Sequence, residues 1–210
     1  MNHFLLLPAA LLGYLIGSIP TGVLLARIFG WPDPREHGSG HTGGLNSLRG
    51  GGPAAGVIVM LADIAKGATA VLLAKAAFPH PYALTVAGIF AVVGHNWPIW
   101  LHFRGGMGLA TGAGATGSQA PLAVVIALGL LAMVRLFIVR HTPRATVIIS
   151  LLLPVVLWPL RDFLHLDLPA YLLAAVASLL IAARHMTDWN RVYEASSGAS
   201  NLNRREHQGR

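Results

Sequence analysis

An all-α polytopic integral membrane protein is the fold class this sequence predicts, and three observations predict it. Hydrophobic residues fill 54% of the 210 positions while charged residues fill 11%, against about a quarter in soluble domains. Mean hydropathy is +0.61. Apolar segments near membrane length recur along the chain, separated by short loops in which arginine collects.

The first apolar segment, 4–29, follows Met1-Asn2-His3, which lacks the lysine or arginine of a signal-peptide n-region, so it reads as a retained helix. Further segments follow at 54–78, 82–101, 120–139, 145–160 and 169–183. A hydrocarbon core about 30 Å thick needs about 20 helical residues, so the last two are expected to be short, tucked against neighbours or little tilted. Six crossings would scatter the arginines over both faces. Adding 107–119 as a short, glycine-broken crossing element gathers Arg27, Arg35, Arg49, Arg104, Arg135, Arg140, Arg144, Arg184, Arg191, Arg204, Arg205 and Arg210 on or near one side. Lys75 and Arg161 then lie near the other side and Lys66 lies mid-segment, which satisfies the positive-inside rule. The expectation is about seven membrane-crossing helices in a domain spanning 1–197, the N-terminus outside and the glycine-rich loops in the cytoplasm. The 107–119 element is expected inside the bundle, because broken backbone at membrane depth must be covered by protein. Residues 198–210 read as a polar, frayed cytoplasmic tail.

Composition also narrows the chemistry. The formal charge of +7 is spread through loops and the tail, without the basic face interleaved with aromatics that nucleic acid would require. With no cysteine, disulfides, thiolate metal sites and a cysteine nucleophile are excluded. The ten histidines are scattered, with no HExxH and no carboxylate cluster facing them, so no metal site and no cofactor is expected. There is no G-x-S-x-G elbow of a serine hydrolase, and no His-x-x-x-x-Asp pair of the acyltransferases that use acyl-thioesters.

What remains are two glycine-rich stretches beside long apolar segments. The first runs from Gly38 to Gly52 and includes Ser39, Gly40, His41, Thr42, Asn46 and Arg49; the second runs from Gly94-His95 to Arg104-Gly105-Gly106-Met107-Gly108. Each sets backbone N–H groups beside an arginine, a combination that holds phosphate without a metal. Arg49 can bind phosphate bidentately, and Ser39, Thr42 and Asn46 offer neutral hydrogen bonds. Asp63 and Lys66 share one face of the second span, where they can pair with each other or serve substrate. His95 fits either an internal hydrogen-bonding role or a catalytic one, while Trp97 and Trp100 read as interfacial anchors. With the Arg140–Arg144 turn and the Arg184–Asn190 segment, four cytoplasmic pieces could build one site.

Taken together these motifs resemble the acyl-phosphate:glycerol-3-phosphate acyltransferase family, the bacterial PlsY membrane enzymes. Gly17-Ser18-Ile19-Pro20-Thr21-Gly22 resembles the first-helix signature, and Ser39-Gly40-His41-Thr42-Gly43-Gly44-Leu45-Asn46-Ser47-Leu48-Arg49 resembles S-G-N-x-G-A-T-N-x-x-R. Asp63-Ile64-Ala65-Lys66-Gly67 resembles D-x-x-K-G, and Gly94-His95 through Phe103-Arg104-Gly105-Gly106-Met107-Gly108-Leu109-Ala110-Thr111 resembles G-H-x-x-P-x-x-x-x-F-K-G-G-K-G-x-A-T. Arg184-His185-Met186-Thr187-Asp188 through Ser197 resembles R-H-R-x-N-I-x-R-L-x-x-G-x-E.

The resemblance implies acyl transfer from acyl phosphate to the 1-hydroxyl of glycerol 3-phosphate at a bacterial inner membrane, giving lysophosphatidic acid and phosphate. It implies the lipid bilayer and an acyl-phosphate-supplying enzyme as partners, and neither metal nor cofactor. Carried over by position, His95 and Lys66 are the expected catalytic residues. Ser39, Gly40, Asn46, Arg49, Arg104, Gly105, Gly106, His185 and Asp188 are the expected substrate and phosphate contacts.

Among the departures from the pattern, His41 and Asp188 replace asparagines, Leu45 a threonine, Arg104 and Met107 the two loop lysines, and Ser197 a glutamate; arginine can keep a phosphate contact and methionine cannot. A carboxylate at 188 would repel phosphate unless protonated or paired with Arg184 or Arg191. Two further readings therefore stand beside the acyltransferase: a divergent paralogue with weak activity or another acceptor, and a small-anion transporter.

Overall fold

The computed structural model describes residues 3–191, so the expected tail and Ser197 lie outside the described residues. Eight α-helices and three short 3₁₀ turns form the described chain. The first apolar segment is two helices, α1 (Leu6–Ser18) and α2 (Thr21–Phe29), broken at Ile19-Pro20 because proline supplies no N–H to continue the ladder. The break leaves the Ile19 carbonyl able to accept Lys66 Nζ at 2.9 Å.

Helix α3 (Gly44–Ala77) contains much of what the sequence suggested would be loop. Leu45 and Leu48 are exposed while Asn46 is buried and Arg49 is half-buried, a three-residue spacing that gives this stretch an apolar side and a polar side. Gly52, with φ of 81°, separates it from the membrane-length part that starts at Pro53, where proline tolerates the first helical turn.

Helix α4 (Ala83–Asn96) is followed by a 3₁₀ turn at Ile99–Leu101 and by α5 (Leu109–Gly117). Then come α6 (Pro121–Phe137), α7 (Thr142–Leu160) and α8 (Leu168–Met186). The last two are longer than their apolar cores predicted, at 19 residues each. Pro143 opens the first turn of α7, and α8 continues through the polar Arg184 and His185 to Met186.

Among the described residues, five segments are long and apolar enough to span a membrane by length and composition: His3–Phe29, Gly44–Ala77, Ala83–Leu101, Thr142–Leu160 and Leu168–Met186. Pro121–Phe137 is a shorter apolar helix. Helix α5 has nine residues, about 14 Å at 1.5 Å per residue, and packs inside the bundle as expected, with Thr111, Gly112, Gly114, Ala115 and Thr116 buried.

The interior is rich in small residues, and many large apolar residues face outward. Ala9, Ala70, Ala74, Ala87, Ala91 and Ala115 are fully buried, whereas Phe4, Leu7, Leu61, Leu122, Val125 and Val155 are exposed. That inversion suits lipid, where helices associate by close backbone approach. Gly13 and Gly17 of α1 meet the Ala87 and Ala91 carbonyls of α4, and a Cβ on either glycine would come to 2.1 Å from the facing oxygen. Gly67 of α3 and Gly114 of α5 interlock similarly, against the Thr111 and Ile64 carbonyls at 2.1 and 1.9 Å.

One end of the bundle brings His3 against His80, Lys75 near Gln119, and Thr85 onto the Pro169 carbonyl. Both glycine-rich stretches, the start of α7 and the end of α8 meet at the opposite end.

Candidate active site

A cavity of about 350 Å³ opens among these four pieces. Its polar wall includes Ser39, His41, Asn46, Arg49, Asp63, His95, Thr142 and His185, and its apolar wall includes Leu48, Val57, Met60, Met107 and Leu109. A charged headgroup and an acyl chain can therefore enter the same space.

The first stretch folds around Asn46. Its Nδ2 donates to Ser39 Oγ at 2.9 Å and to the His41 carbonyl at 2.8 Å. Its Oδ1 accepts from Arg49 Nη1 at 2.8 Å and from the Ser39 N–H at 3.3 Å. One amide thus fixes the serine, the turn and the arginine. Gly38 makes this possible, since it adopts φ of 54° and a Cβ there would sit 2.5 Å from Arg49 Nη1. Gly43, Gly44 and Leu45 at the start of α3 also line the cavity, turning toward it the N–H end of a helix, which favours anions.

The second stretch is a shaped wall. Gly105 N–H donates to the Asn96 carbonyl at 3.2 Å and Gly106 N–H to the His95 carbonyl at 3.0 Å, so both amides are already engaged. Their carbonyls face inward partners: Gly105 O lies 3.3 Å from His41 Nδ1, and Gly106 O accepts from Arg184 Nε at 3.0 Å. A Cβ on Gly106 would fall 2.0 Å from His95 Nε2, so only glycine lets the loop cross the imidazole. Met107 lines the cavity, while Arg104 on the same loop is exposed.

Beneath the cavity lies a buried polar network. Asp63 Oδ1 accepts from Thr21 Oγ1, lies 2.9 Å from Lys66 Nζ and 3.4 Å from His95 Nδ1. Asp63 and Lys66 are a buried pair, and Lys66 Nζ also donates to the Ile19 carbonyl. Lys66 is therefore drawn toward the α1–α2 break, and it is Asp63 and His95 that reach the cavity wall.

At the end of α8, His185 reaches the cavity and its Nδ1 lies 2.9 Å from the Ile181 carbonyl. Asp188 is buried, with Oδ2 3.0 Å from His41 Nε2 and Oδ1 3.6 Å from Arg191 Nη1. Burial pushes the His41 pKa below its ordinary value, against the pull of Asp188 toward the charged form; Arg184 adds to the lowering. The segment after α8 is fastened to the start of α7: Arg144 donates to the Trp189 carbonyl and to Asn190 Oδ1, and His141 Nε2 lies 2.9 Å from the Arg191 carbonyl.

Of the residues expected from sequence, Ser39, Asn46, Arg49, His95 and His185 line the cavity. Gly105, Gly106 and Asp188 shape it through bonded neighbours, Lys66 stands behind it, and Gly40 and Arg104 lie outside its wall. Thr142, Pro143 and Thr146 also line it; the Arg140–Arg144 turn is expected to contribute, but the sequence singles out none of these three residues. The sole signal was the Thr-Pro start of a helix.

The family model for glycerol-3-phosphate acyltransferase matches residues 7–195. A glycerol-3-phosphate acyltransferase of Agrobacterium fabrum is 42% identical over 156 residues, covering 74% of this chain and 75% of that protein. One of Photobacterium profundum is 36% identical over 184 residues, covering 86% of each. Among solved structures, the chain is similar to PlsY (YgiH), an integral membrane glycerol 3-phosphate acyltransferase, in its glycerol 3-phosphate form. The TM-score is 0.74 at 29% identity, with 89% of this chain and 90% of the other covered. The lysophosphatidic acid form of the same protein gives a TM-score of 0.73 at 28% identity, with the same coverage.

Proposed function

This chain belongs to the glycerol-3-phosphate acyltransferase family, and we propose that it transfers a fatty acyl group from acyl phosphate to the 1-hydroxyl of glycerol 3-phosphate. The products are lysophosphatidic acid and inorganic phosphate, the first acylation of phospholipid synthesis. The observation that carries this reading is the joint wall of the cavity, where the Ser39–Asn46–Arg49 cluster faces the same space as Val57, Met60 and Leu109.

Arg49 and Ser39 hold the phosphate of glycerol 3-phosphate, with the leading N–H groups of α3 beside them. His185 and the Asp188 region close the site from the α8 end, and Gly40 supports the Ser39 turn. Arg104, exposed on the second loop, supplies positive charge to the approaching donor.

The glycerol hydroxyl attacks the acyl carbonyl, the C–O bond to phosphate breaks, and phosphate leaves with the electron pair. A phosphate oxygen takes the hydroxyl proton. The leaving group is good, so positioning and charge neutralisation suffice without a protein nucleophile. His95, oriented by Asp63 and, behind it, Lys66, holds the reacting centre against the second loop.

The site end of the bundle carries Arg35, Arg49, Arg104, Arg140, Arg144, Arg184 and Arg191, while Lys75 and Arg161 belong to the other end. By the positive-inside rule the site faces the cytoplasm, the chain crosses a bacterial inner membrane seven times, and an acyl-phosphate-supplying enzyme works on the same side.

A second reading, acylation of another phosphorylated acceptor, is favoured by Met107 in the cavity wall where the family pattern has lysine. Purified protein given labelled glycerol 3-phosphate with acyl phosphate, and in parallel with acyl-CoA, decides between them. Lysophosphatidic acid from acyl phosphate alone is expected. Product from acyl-CoA alone would replace the donor, and no labelled product would replace the acceptor.

A further inference from the structure

His41 stands where three chain segments meet. Its Nε2 is 3.0 Å from Asp188 Oδ2 and its Nδ1 is 3.3 Å from the Gly105 carbonyl oxygen. An ionised carboxylate and a carbonyl are both acceptors, and a neutral imidazole has one N–H to give whereas an imidazolium has two. The charged ring alone satisfies both contacts. His41 also lines the cavity beside Ser39, Asn46 and Arg49, so its charge faces whatever anion binds there.

Charge counting gives the contact a consequence. Imidazolium with carboxylate is neutral overall, the same net charge as the two asparagines of the family pattern at these positions. Removal of the proton makes the pair one charge more negative beside the anion site, with Arg191 3.6 Å from the other Asp188 oxygen. Two departures 147 residues apart in sequence are one contact.

We propose that the His41–Asp188 pair is a proton-dependent positioning device, which ties the first glycine-rich stretch, the second loop and the end of α8 together around the substrate phosphate when His41 is protonated. This rests on the reading of the cavity as the glycerol 3-phosphate site. The charged and titratable groups around the ring are Asp188, Arg184, His185 and Arg191 from α8 and its extension, and Arg49, Asp63 and His95 from the cavity wall. The second loop contributes the Gly105 carbonyl.

Burial and Arg184 hold the His41 pKa below its ordinary value in the empty site. A phosphate dianion entering the cavity adds negative charge and raises it. Binding therefore takes up a proton from solvent, and affinity falls as pH rises through the pKa of the bound state.

The test is calorimetric titration of glycerol 3-phosphate into the full chain, in buffers of different ionisation enthalpy, from pH 6.5 to 8.5. The ester's own second ionisation, near pH 6, affects all variants alike, so wild type is read against His41→Asn/Asp188→Asn. At pH 7.5 wild type is expected to take up protons that the double variant does not. Its Kd should rise relative to the double variant across the range, by roughly tenfold for each unit by which binding raises the His41 pKa.

His41→Asn, which takes the imidazolium away from Asp188 Oδ2, is expected to bind worst at every pH. Asp188→Asn should bind more tightly than wild type at pH 8.5. His41→Gln keeps an N–H for Asp188 without titrating, so it should bind without the extra proton uptake, and it serves in place of His41→Asn if that variant does not fold. Equal proton uptake and parallel pH profiles for wild type and the double variant would overturn the inference. Arg49→Ala binding as tightly as wild type would instead overturn the site reading on which it rests.

Discussion

Lys66 Nζ lies 2.9 Å from Asp63 Oδ1, and the same carboxylate oxygen is 3.4 Å from His95 Nδ1. The lysine and the histidine are thus linked through one buried acceptor, with the histidine on the cavity side. This arrangement separates what each contributes. Lys66 is the buried cationic partner of Asp63, and Asp63 sets the orientation of His95.

Asp63→Asn is expected to lower stability by about 3 to 5 kcal/mol, because it leaves the Lys66 cation buried without its partner. Asp63→Asn/Lys66→Met should recover much of that loss while activity stays low, since His95 has lost its orienting carboxylate. Thermal melts and product assays on the same samples check both halves. Full activity in the stable double variant would place the network outside the reaction.

Gly106→Ala is expected to impair product formation strongly, because its Cβ would fall 2.0 Å from a buried His95 nitrogen. Overpacking of this kind costs about 1 to 3 kcal/mol. Activity loss with a measurable drop in melting temperature is the expected result. A silent substitution would show that the second loop can move off the imidazole.

Met107→Lys should tighten glycerol 3-phosphate binding, because it adds a second cation to the cavity that Arg49 lines. The measurement is KM for glycerol 3-phosphate, expected to fall several-fold at low ionic strength and less at high salt. A raised KM would mean that the wall is built around methionine.

For orientation, single cysteines can be introduced without background because the chain contains none. Arg35→Cys lies at the site end, and Asp162→Cys, whose wild-type side chain is 94% exposed, follows α7 at the other. An impermeant maleimide added to intact cells should label position 162 and spare position 35. The reverse pattern would invert the topology.

Much of this was legible in the sequence. The apolar segments, the glycine-broken element at α5 and the Asp63–Lys66 pairing follow from hydropathy and helical spacing, which are local signals. The helical form of 44–51 was obscured by its glycines, although Leu45 and Leu48 against Asn46 and Arg49 carried the period. The engagement of the Gly105 and Gly106 amides could not be read, because it depends on how the chain turns back over His95. The His41–Asp188 contact was invisible for a similar reason: each residue looked like an isolated departure until folding brought α8 beside the first stretch. The sequence left open whether Asp188 pairs with Arg184 or Arg191, and Arg191 Nη1 lies 3.6 Å from Asp188 Oδ1.

The most direct test of the site is the rate of lysophosphatidic acid formation from acyl phosphate and glycerol 3-phosphate by wild type, Arg49→Ala and Arg49→Lys, with glycerol 3-phosphate below saturation. Loss of a charged partner of a desolvated phosphate is worth about 2 to 5 kcal/mol, so Arg49→Ala should be slower by at least roughly 30-fold. Arg49→Lys should recover only part, because a point charge lacks the bidentate fork. Equal rates for wild type and Arg49→Ala, both folded, would contradict the assignment of this cavity as the place where glycerol 3-phosphate is acylated.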